Sequence, residues 1–438
     1  MISTVEKYVS EILRPFPRAR TFTKRSYQVI MYGLEMAKKS LLNQREEPNI
    51  LQARAVFDEN YHYFFGYYDN CPWESSQRYF LYLRVSFANR WPKLGEAAEI
   101  CLVDLKSNER RVIAKTKAWC WQQGCRLQWL GGEPEQLIIF NDFQAGKYLS
   151  VIIDRYGTIK KVLPQPIYAV TKNGSRAVSL NFGRLHYGSP GYGYIAKPYI
   201  DIDNLHPEDD GLWHMDIETG KYKLIISLDQ IVKQFKRKGF ENNFHYFNHL
   251  EFNPSGTRFV FLHRWFKWGR GNSKGQEFTR MFTAKPDGSD LYLLADHGMV
   301  SHFTWKDDTH LLAWAYHPLA GCSYYLFEDQ TEKIEVIGHG ILTEDGHPSY
   351  SPDGRWILTD TYPDALRRKT LILFDNINSK RIDLGRYFTP FAFDGPFRCD
   401  LHPRWSHDGR SICFDSVHER KRRVYVVNVS SIVMPSSK

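Results

Sequence analysis

Long apolar runs are missing from this chain. No stretch of its 438 residues approaches the length of a membrane span. The N-terminus has no apolar h-region of the kind a secretory signal carries. Cysteine is sparse. The seven (Cys71, Cys101, Cys120, Cys125, Cys322, Cys399 and Cys413) are an odd number without framework spacing. Cys120 and Cys125 form a C-x4-C pair with no second pair to complete a zinc site. These absences lead to the expectation of a soluble, cytoplasmic protein with reduced thiols. A Lys/Arg-rich recognition helix is also lacking. The net charge of +9 favours anionic partners. Because the basic residues are scattered, nucleic acid is set aside, and acidic glycans and membrane surfaces remain.

What is present is a repeat. Gly346 to Asp364 reads as strand, tight turn, strand, with Pro352-Asp353-Gly354 supplying the turn chemistry. Similar units centre on Phe252, Trp305 and Trp405, and looser ones on Trp73, Trp129 and Val170. The anchors are separated by 41 to 82 residues, mostly near 50. Short-strand repeats of that length are the signature of a β-propeller. One blade buries little alone, and a stacked ring of seven buries a continuous core. The aromatic content of 15% suits sheet faces packed on sheet faces.

The expected fold is therefore all-β, a seven-bladed propeller at 49–438 with a short helical extension at 1–48. In that extension Ser3 and Glu6 make a capping box. Val5, Val9, Ile12 and Leu13 form a helical stripe ended by Pro15 and Pro17. A second helix is expected from Ser26 to Leu42, with Tyr27, Ile30, Met31 and Leu34 on one face. The extension reads as a cap on the propeller, with a membrane-surface or partner helix as the alternative. Blade seven shows only three strands at the C-terminus, so 50–57 is expected to supply its outer strand and close the ring. The insertion 185–210, a short helix near 227–247 and a Gly-rich loop at 269–278 fall into loop classes that share one face of the disc. Function usually lives on such loops.

Four histidines are in register. His249, His302, His347 and His402 each lie three residues before an anchor aromatic (Phe252, Trp305, Tyr350, Trp405). That position opens the innermost strand, beside the axis. Asn70, Arg126 and Ile167 occupy it in the other blades. Neutral imidazoles converging in this way suit a divalent metal, and structural hydrogen bonding is the plain alternative. The ends of the second strands add Arg84, Asp142, Arg184 with His186, His263-Arg264-Trp265, Tyr316-His317, Asp360 with Tyr362, and Asp415 with His418. Tyr192, Tyr194 and Tyr199 come from the long insertion. Together these describe a cationic, aromatic-lined cleft. Aromatic faces stack on sugar rings, and arginine pairs carboxylate or sulfate bidentately.

The repeats resemble those of TolB-like propellers. The His-Pro-x-aromatic-Ser-x-Asp-Gly units at His347 and His402 are similar to the oligogalacturonate lyase family, with ulvan lyases as a related group. That resemblance implies Mn(II), with Zn(II) as the alternative, held near the axis by three histidines and a glutamine, with an arginine and a histidine beside it. By position His347 and His402 match ligand units and His302 the neighbouring ring histidine. The family's Gln-x2-His-x-His-Pro cluster is altered: Phe397 stands at the glutamine position and Asp400 at the first histidine. His249 is the expected replacement ligand.

The resulting expectation is β-elimination on a uronate-containing glycan. Metal is held by His249, His347 and His402, with Arg184 or Arg264 assisting, His302 or His186 as base and Tyr362 as acid. Arg126, Tyr192, Tyr194, Trp265 and Asp360 are the expected substrate contacts. Two other classes stay open. One is a glycoside hydrolase using a pair among Asp142, Asp360 and Asp415. The other is a non-catalytic propeller that binds an acidic glycan or a partner protein.

Overall fold

Blades six and seven are each organised by their first turn. In blade six the Gly354 N–H donates to Ser351 O at 2.8 Å, and in blade seven Gly409 N–H donates to Ser406 O at 3.0 Å. Both glycines have positive φ, 71° and 67°, a left-handed conformation that residues with a Cβ adopt at a cost. The polypeptide then returns antiparallel, as in Trp356–Asp360 pairing with Ser349–Tyr350.

The computed structural model describes residues 17–41, 49, 53–55, 61–131, 137–195, 200–268 and 274–434. Within them the strands form seven four-stranded antiparallel sheets. Six run in simple chain order. Blade one, for example, is His62–Phe64, Tyr79–Val85, Ala98–Asp104 and Arg110–Thr116. Blade seven combines Arg404–Trp405, Ser411–Ser416 and Arg423–Asn428 with Arg54–Ala55 from the other end of the chain. Arg54 pairs with Val426 and Ala55 with Tyr425. The protein is a seven-bladed β-propeller whose last blade is closed by an N-terminal strand.

The core lies between blades. Leu358 of blade six packs with Trp405 and Phe414 of blade seven, while its neighbour Ile357 packs with Leu312 and Trp314 of blade five. Alternate residues thus bury against opposite neighbours, so these strands are apolar on both faces. Each such side chain contributes about 1.5–3 kcal/mol.

The anchor tryptophans also fix one blade on the next. Trp129 Nε1–H donates to Pro72 O at 2.9 Å, Trp305 to Glu251 O at 3.2 Å and Trp405 to Ser349 O at 3.4 Å. Each acceptor is the residue just before the preceding blade's anchor.

Helix α1 spans Pro17–Leu41. It begins nine residues before the expected Ser26, because proline is well tolerated in a helix's first turn. Tyr32 seats it on blade six, with its ring 6.2 Å from Phe388 and 5.8 Å from Phe391. Of the expected packing face, Ile30 and Leu34 are both 59% exposed. The helix expected around Val5 to Leu13, like Tyr199 and residues 269–273, lies outside the described residues. Two short helices sit on the propeller: α2, Phe182–Gly188, and α3, Leu228–Gln234. Asn181 caps the first through the Arg184 N–H, and Ser227 caps the second through the Gln230 N–H. No helix among the described residues is long and apolar enough to cross a membrane.

Candidate functional site

Three equivalent positions share an unusual backbone. Arg126, His249 and His402, each three residues before an anchor, have φ of 55°, 49° and 42°. Left-handed geometry at a residue with a side chain costs about 1–3 kcal/mol and is kept where the surroundings enforce it. Here it turns the side chain toward the axis. The four histidines meet there: ring centroids are 4.1 Å apart for His302 and His347, 4.4 Å for His347 and His402, and 5.9 Å for His249 and His302.

The axis between them is filled. Tyr67 lies parallel to His249 at 5.0 Å and stands 4.9 Å from His402 and 6.0 Å from His347. Tyr68 lies 5.3 Å from His347 and bonds both the carbonyl and the N–H of Phe303 through its hydroxyl. Both tyrosines follow Gly66, whose φ is 140° and whose missing Cβ would fall 2.9 Å from Gln123 O.

Hydrogen bonds assign the tautomers. His402 Nδ1 faces the Gly66 carbonyl at 2.9 Å and must therefore carry the proton. His347 Nδ1 faces Asp360 Oδ1 at 2.8 Å, and His302 Nδ1 faces Asp345 Oδ1 at 3.1 Å. Each carboxylate fixes its ring with the lone pair on Nε2. Burial holds His302 and His402 below the ordinary histidine value, with the neighbouring His347 adding to the effect in both. They are neutral imidazoles at neutral pH.

Two of those lone pairs are orphaned. Nε2 of His347 and Nε2 of His402 are buried and have no hydrogen-bond partner among the described residues. One ring nitrogen of each of these histidines and a carboxylate oxygen of Asp400 form a group within 4.8 Å. Burial works to raise the Asp400 carboxyl, but Arg398 and Lys369 outweigh it and hold the group well below the carboxylate range. Arg398 Nε donates to it at 2.5 Å and Lys369 Nζ at 2.7 Å. Leaving two buried imidazole acceptors without a partner costs about 1–3 kcal/mol each. Two imidazoles and a carboxylate make a donor set that fits a divalent cation.

The other expected residues divide. Tyr362 is 6.0 Å from His347 and 6.4 Å from His302, ring to ring. Tyr192 accepts from Arg398 at 2.5 Å and meets Tyr67 edge-on at 6.0 Å. Asp360 serves His347, as described. Arg264 is mostly buried, its Nη1 is 3.4 Å from Glu277 Oε1, and its charge acts on His249, Tyr67 and Tyr192. His249 stands apart from the His347, Asp400 and His402 group, with its Nε2 3.2 Å from the Tyr67 hydroxyl and its Nδ1 3.2 Å from that of Tyr168.

Others are engaged elsewhere. Arg184 donates to the carbonyls of His245, Asn204 and Leu205. Arg126 forms a buried bidentate pair with Asp69. Tyr194 stacks on Phe182 at 4.3 Å, Trp265 lies between His263 and Phe278, and His186 meets Trp91 edge-on.

Sequence reasoning did not assign roles to Tyr67, Tyr68, Asp345, Asp400, Lys369 and Arg398. The two acids carried a signal, since Asp345-x-His347 and Asp400-x-His402 repeat a spacing of two, which in extended chain puts both side chains on one side. Lys369, inside a blade-six strand, carried none.

No family model matches the sequence, and no curated protein matches it. Solved structures do. An oligogalacturonate lyase from Vibrio parahaemolyticus aligns over 88% of this chain and 96% of its own, with 11% identity and a TM-score of 0.60. An oligogalacturonate lyase in complex with manganese aligns over 88% and 97%, with 13% identity and a TM-score of 0.61. TolB from Acinetobacter baumannii overlaps more loosely, over 81% of this chain and 82% of its own, with 11% identity and a TM-score of 0.37. At such identities the likeness is one of architecture: the chain shares the seven-bladed propeller fold of the oligogalacturonate lyases.

Proposed function

We propose that the protein cleaves a uronate-containing acidic glycan by β-elimination, with a divalent cation held by His347, Asp400 and His402. The observation that carries this reading is the grouping of His347, Asp400 and His402 within 4.8 Å, with both Nε2 atoms buried and partnerless among the described residues. Mn(II) is the first ion to try, since one of the structurally similar lyases is described with manganese, and Zn(II) is the second. Asp400 takes the place expected for His249, whose ring nitrogens already face two hydroxyls.

Bound there, the cation would neutralise the substrate carboxylate and so acidify the proton on C5. The chain's own groups supply the rest. His302 Nε2 takes that proton, its lone pair presented because Asp345 holds Nδ1. The C5–H electron pair becomes the C4–C5 double bond and the C4–O bond breaks. Tyr362 gives its hydroxyl proton to the departing oxygen. Burial raises that phenol well above its usual value, so it stays protonated until then. Arg264 orients the carboxylate.

A hydrolase would need two carboxyls free to act across the scissile bond. Asp360 is tied to His347, Asp415 to Arg404, and Asp142 to the Lys117 N–H and Gln144. That engagement favours elimination over hydrolysis.

The test is a screen of acidic polysaccharides with Mn(II)-loaded protein, read by the ultraviolet absorbance of an unsaturated uronate. Metal content is measured in parallel on wild type and His347→Ala. The expected result is loss of metal and of product together in the variant. Undiminished product from chelator-treated His347→Ala protein would sink this reading.

A further inference from the structure

A second concavity lies between blades two and three, apart from the histidine ring. Its volume is about 640 Å³, within the range of small-molecule sites. It is lined by Trp213 and Tyr222 from blade three and by Gln144, Lys147, Tyr148 and Gln165 from blade two. No acidic side chain lines it among the described residues, and Lys147 gives it a positive charge. Trp213 is half-buried and Tyr222 exposed, with their rings 5.9 Å apart. Tyr148 is only 7% exposed, yet its hydroxyl is buried without a hydrogen-bond partner among the described residues. A phenol in that state lacks the acceptor that a buried donor normally finds.

One end of the groove lies at the histidine end of its blades, while Tyr222, which opens a fourth strand, lies toward the other. The Gln144–Lys147 hairpin follows a second strand, and Gln165 precedes a first strand. Both loop classes lie at the histidine end of a blade. Aromatic contacts link the two places: Tyr148 to Tyr194 at 5.4 Å, Tyr194 to Phe182 at 4.3 Å, and Phe182 to Tyr168 at 6.0 Å. Tyr168 in turn touches His249.

We propose that this groove is a distal subsite for a uronate residue of the same glycan chain that enters the histidine ring. The inference rests on the glycan reading above. Aromatic faces stack on the apolar face of a pyranose, amides pair with its hydroxyls, and Lys147 meets its carboxylate. The groove therefore makes the protein prefer long acidic chains to short ones.

Titration calorimetry of the full chain with digalacturonate and with long oligogalacturonates tests this. Wild type binds the long chain at least tenfold more tightly. Trp213→Ala, and separately the exposed-loop change Lys147→Glu, reduce that advantage severalfold without altering digalacturonate binding, in keeping with the strength of one aromatic or charged contact. Circular dichroism confirms that both variants fold. Length preference that is intact in both variants overturns the subsite. So does equal affinity for an uncharged oligosaccharide of the same length, or no oligogalacturonate binding at all. If Trp213-dependent binding persists while no unsaturated product forms, the lyase reading fails and the subsite stands.

Discussion

Lys369 Nζ lies 2.7 Å from Asp400 Oδ1, with the two side chains 1% and 2% exposed. The ammonium also donates to Cys399 O at 2.6 Å. A buried pair of this kind neutralises a carboxylate that faces two imidazole lone pairs, so Lys369 competes for the charge a cation would use. Replacing it with methionine removes one competitor and strands part of a buried network. Lys369→Met is expected to lose about 3–5 kcal/mol of stability. Added Mn(II) should then raise its melting temperature more than that of wild type. Equal metal-induced shifts in the two proteins, measured by calorimetry, would contradict this balance of charges.

Stability should fall in mild acid. Burial lowers His245, His249, His263, His302 and His402, with His245 brought from 6.5 to about 3. A base with a depressed folded value protonates first in the unfolded chain. Its contribution is whole above the unfolded value and drains away as pH falls toward the folded one. Urea midpoints should be flat above about pH 7 and drop steadily from about 6.5 downward. A midpoint that does not change between pH 7 and pH 5 would remove these buried rings as the cause.

Tyr67 separates packing from chemistry. Tyr67→Phe keeps the ring among the histidines and removes only the contact with His249 Nε2, for a cost of about 1–2 kcal/mol. Activity toward acidic glycan should stay within severalfold of wild type. Tyr67→Ala leaves a void on the axis and should cost about 3–5 kcal/mol. Abolished turnover in a fully folded Tyr67→Phe protein would make the hydroxyl part of the reaction.

The tryptophan bonds between blades should be separable in the same way. Trp305→Phe and Trp405→Phe each delete one N–H donor to the preceding blade and should cost about 0.5–1.5 kcal/mol beyond the lost ring area. Because the two lie in different interfaces, a double variant should show simple addition. Denaturant titrations of the four proteins would reveal any coupling.

Much of the architecture was legible because it is written locally and repeated. Turn glycines such as Gly354 and Gly409 and the anchor tryptophans recur at regular offsets, and each offset maps onto one place in a blade. Helix α2 was hidden. Its Phe182–Gly188 segment carries two glycines and no apolar periodicity, and it holds through the Asn181 cap and packing of Leu185 and Phe182. In the site, register located His302, His347 and His402 at the axis, but register carries no orientation. His249 shares the offset and turns to two tyrosine hydroxyls instead. Tyr67 and Tyr68 fill the axis from the segment between the first two strands of blade one, where the other blades have no equivalent offset. Arg126 and Arg184 look like substrate ligands by type and are consumed by Asp69 and by backbone carbonyls, a result only tertiary convergence decides.

The pairing of Arg54 with Val426 reverses the usual order of manufacture. On the ribosome the sealing strand emerges near the start and its partner near the end, so one waits through the synthesis of nearly the whole ring. Blades one to six can form from neighbouring sequence as they appear, whereas the seventh depends on a contact of very long sequence separation, the slowest kind to establish. Until then both the first-made strand and the Arg423–Asn428 edge are open to the wrong partner. Ring closure is thus the step at which newly made protein is most exposed to mispairing with another copy.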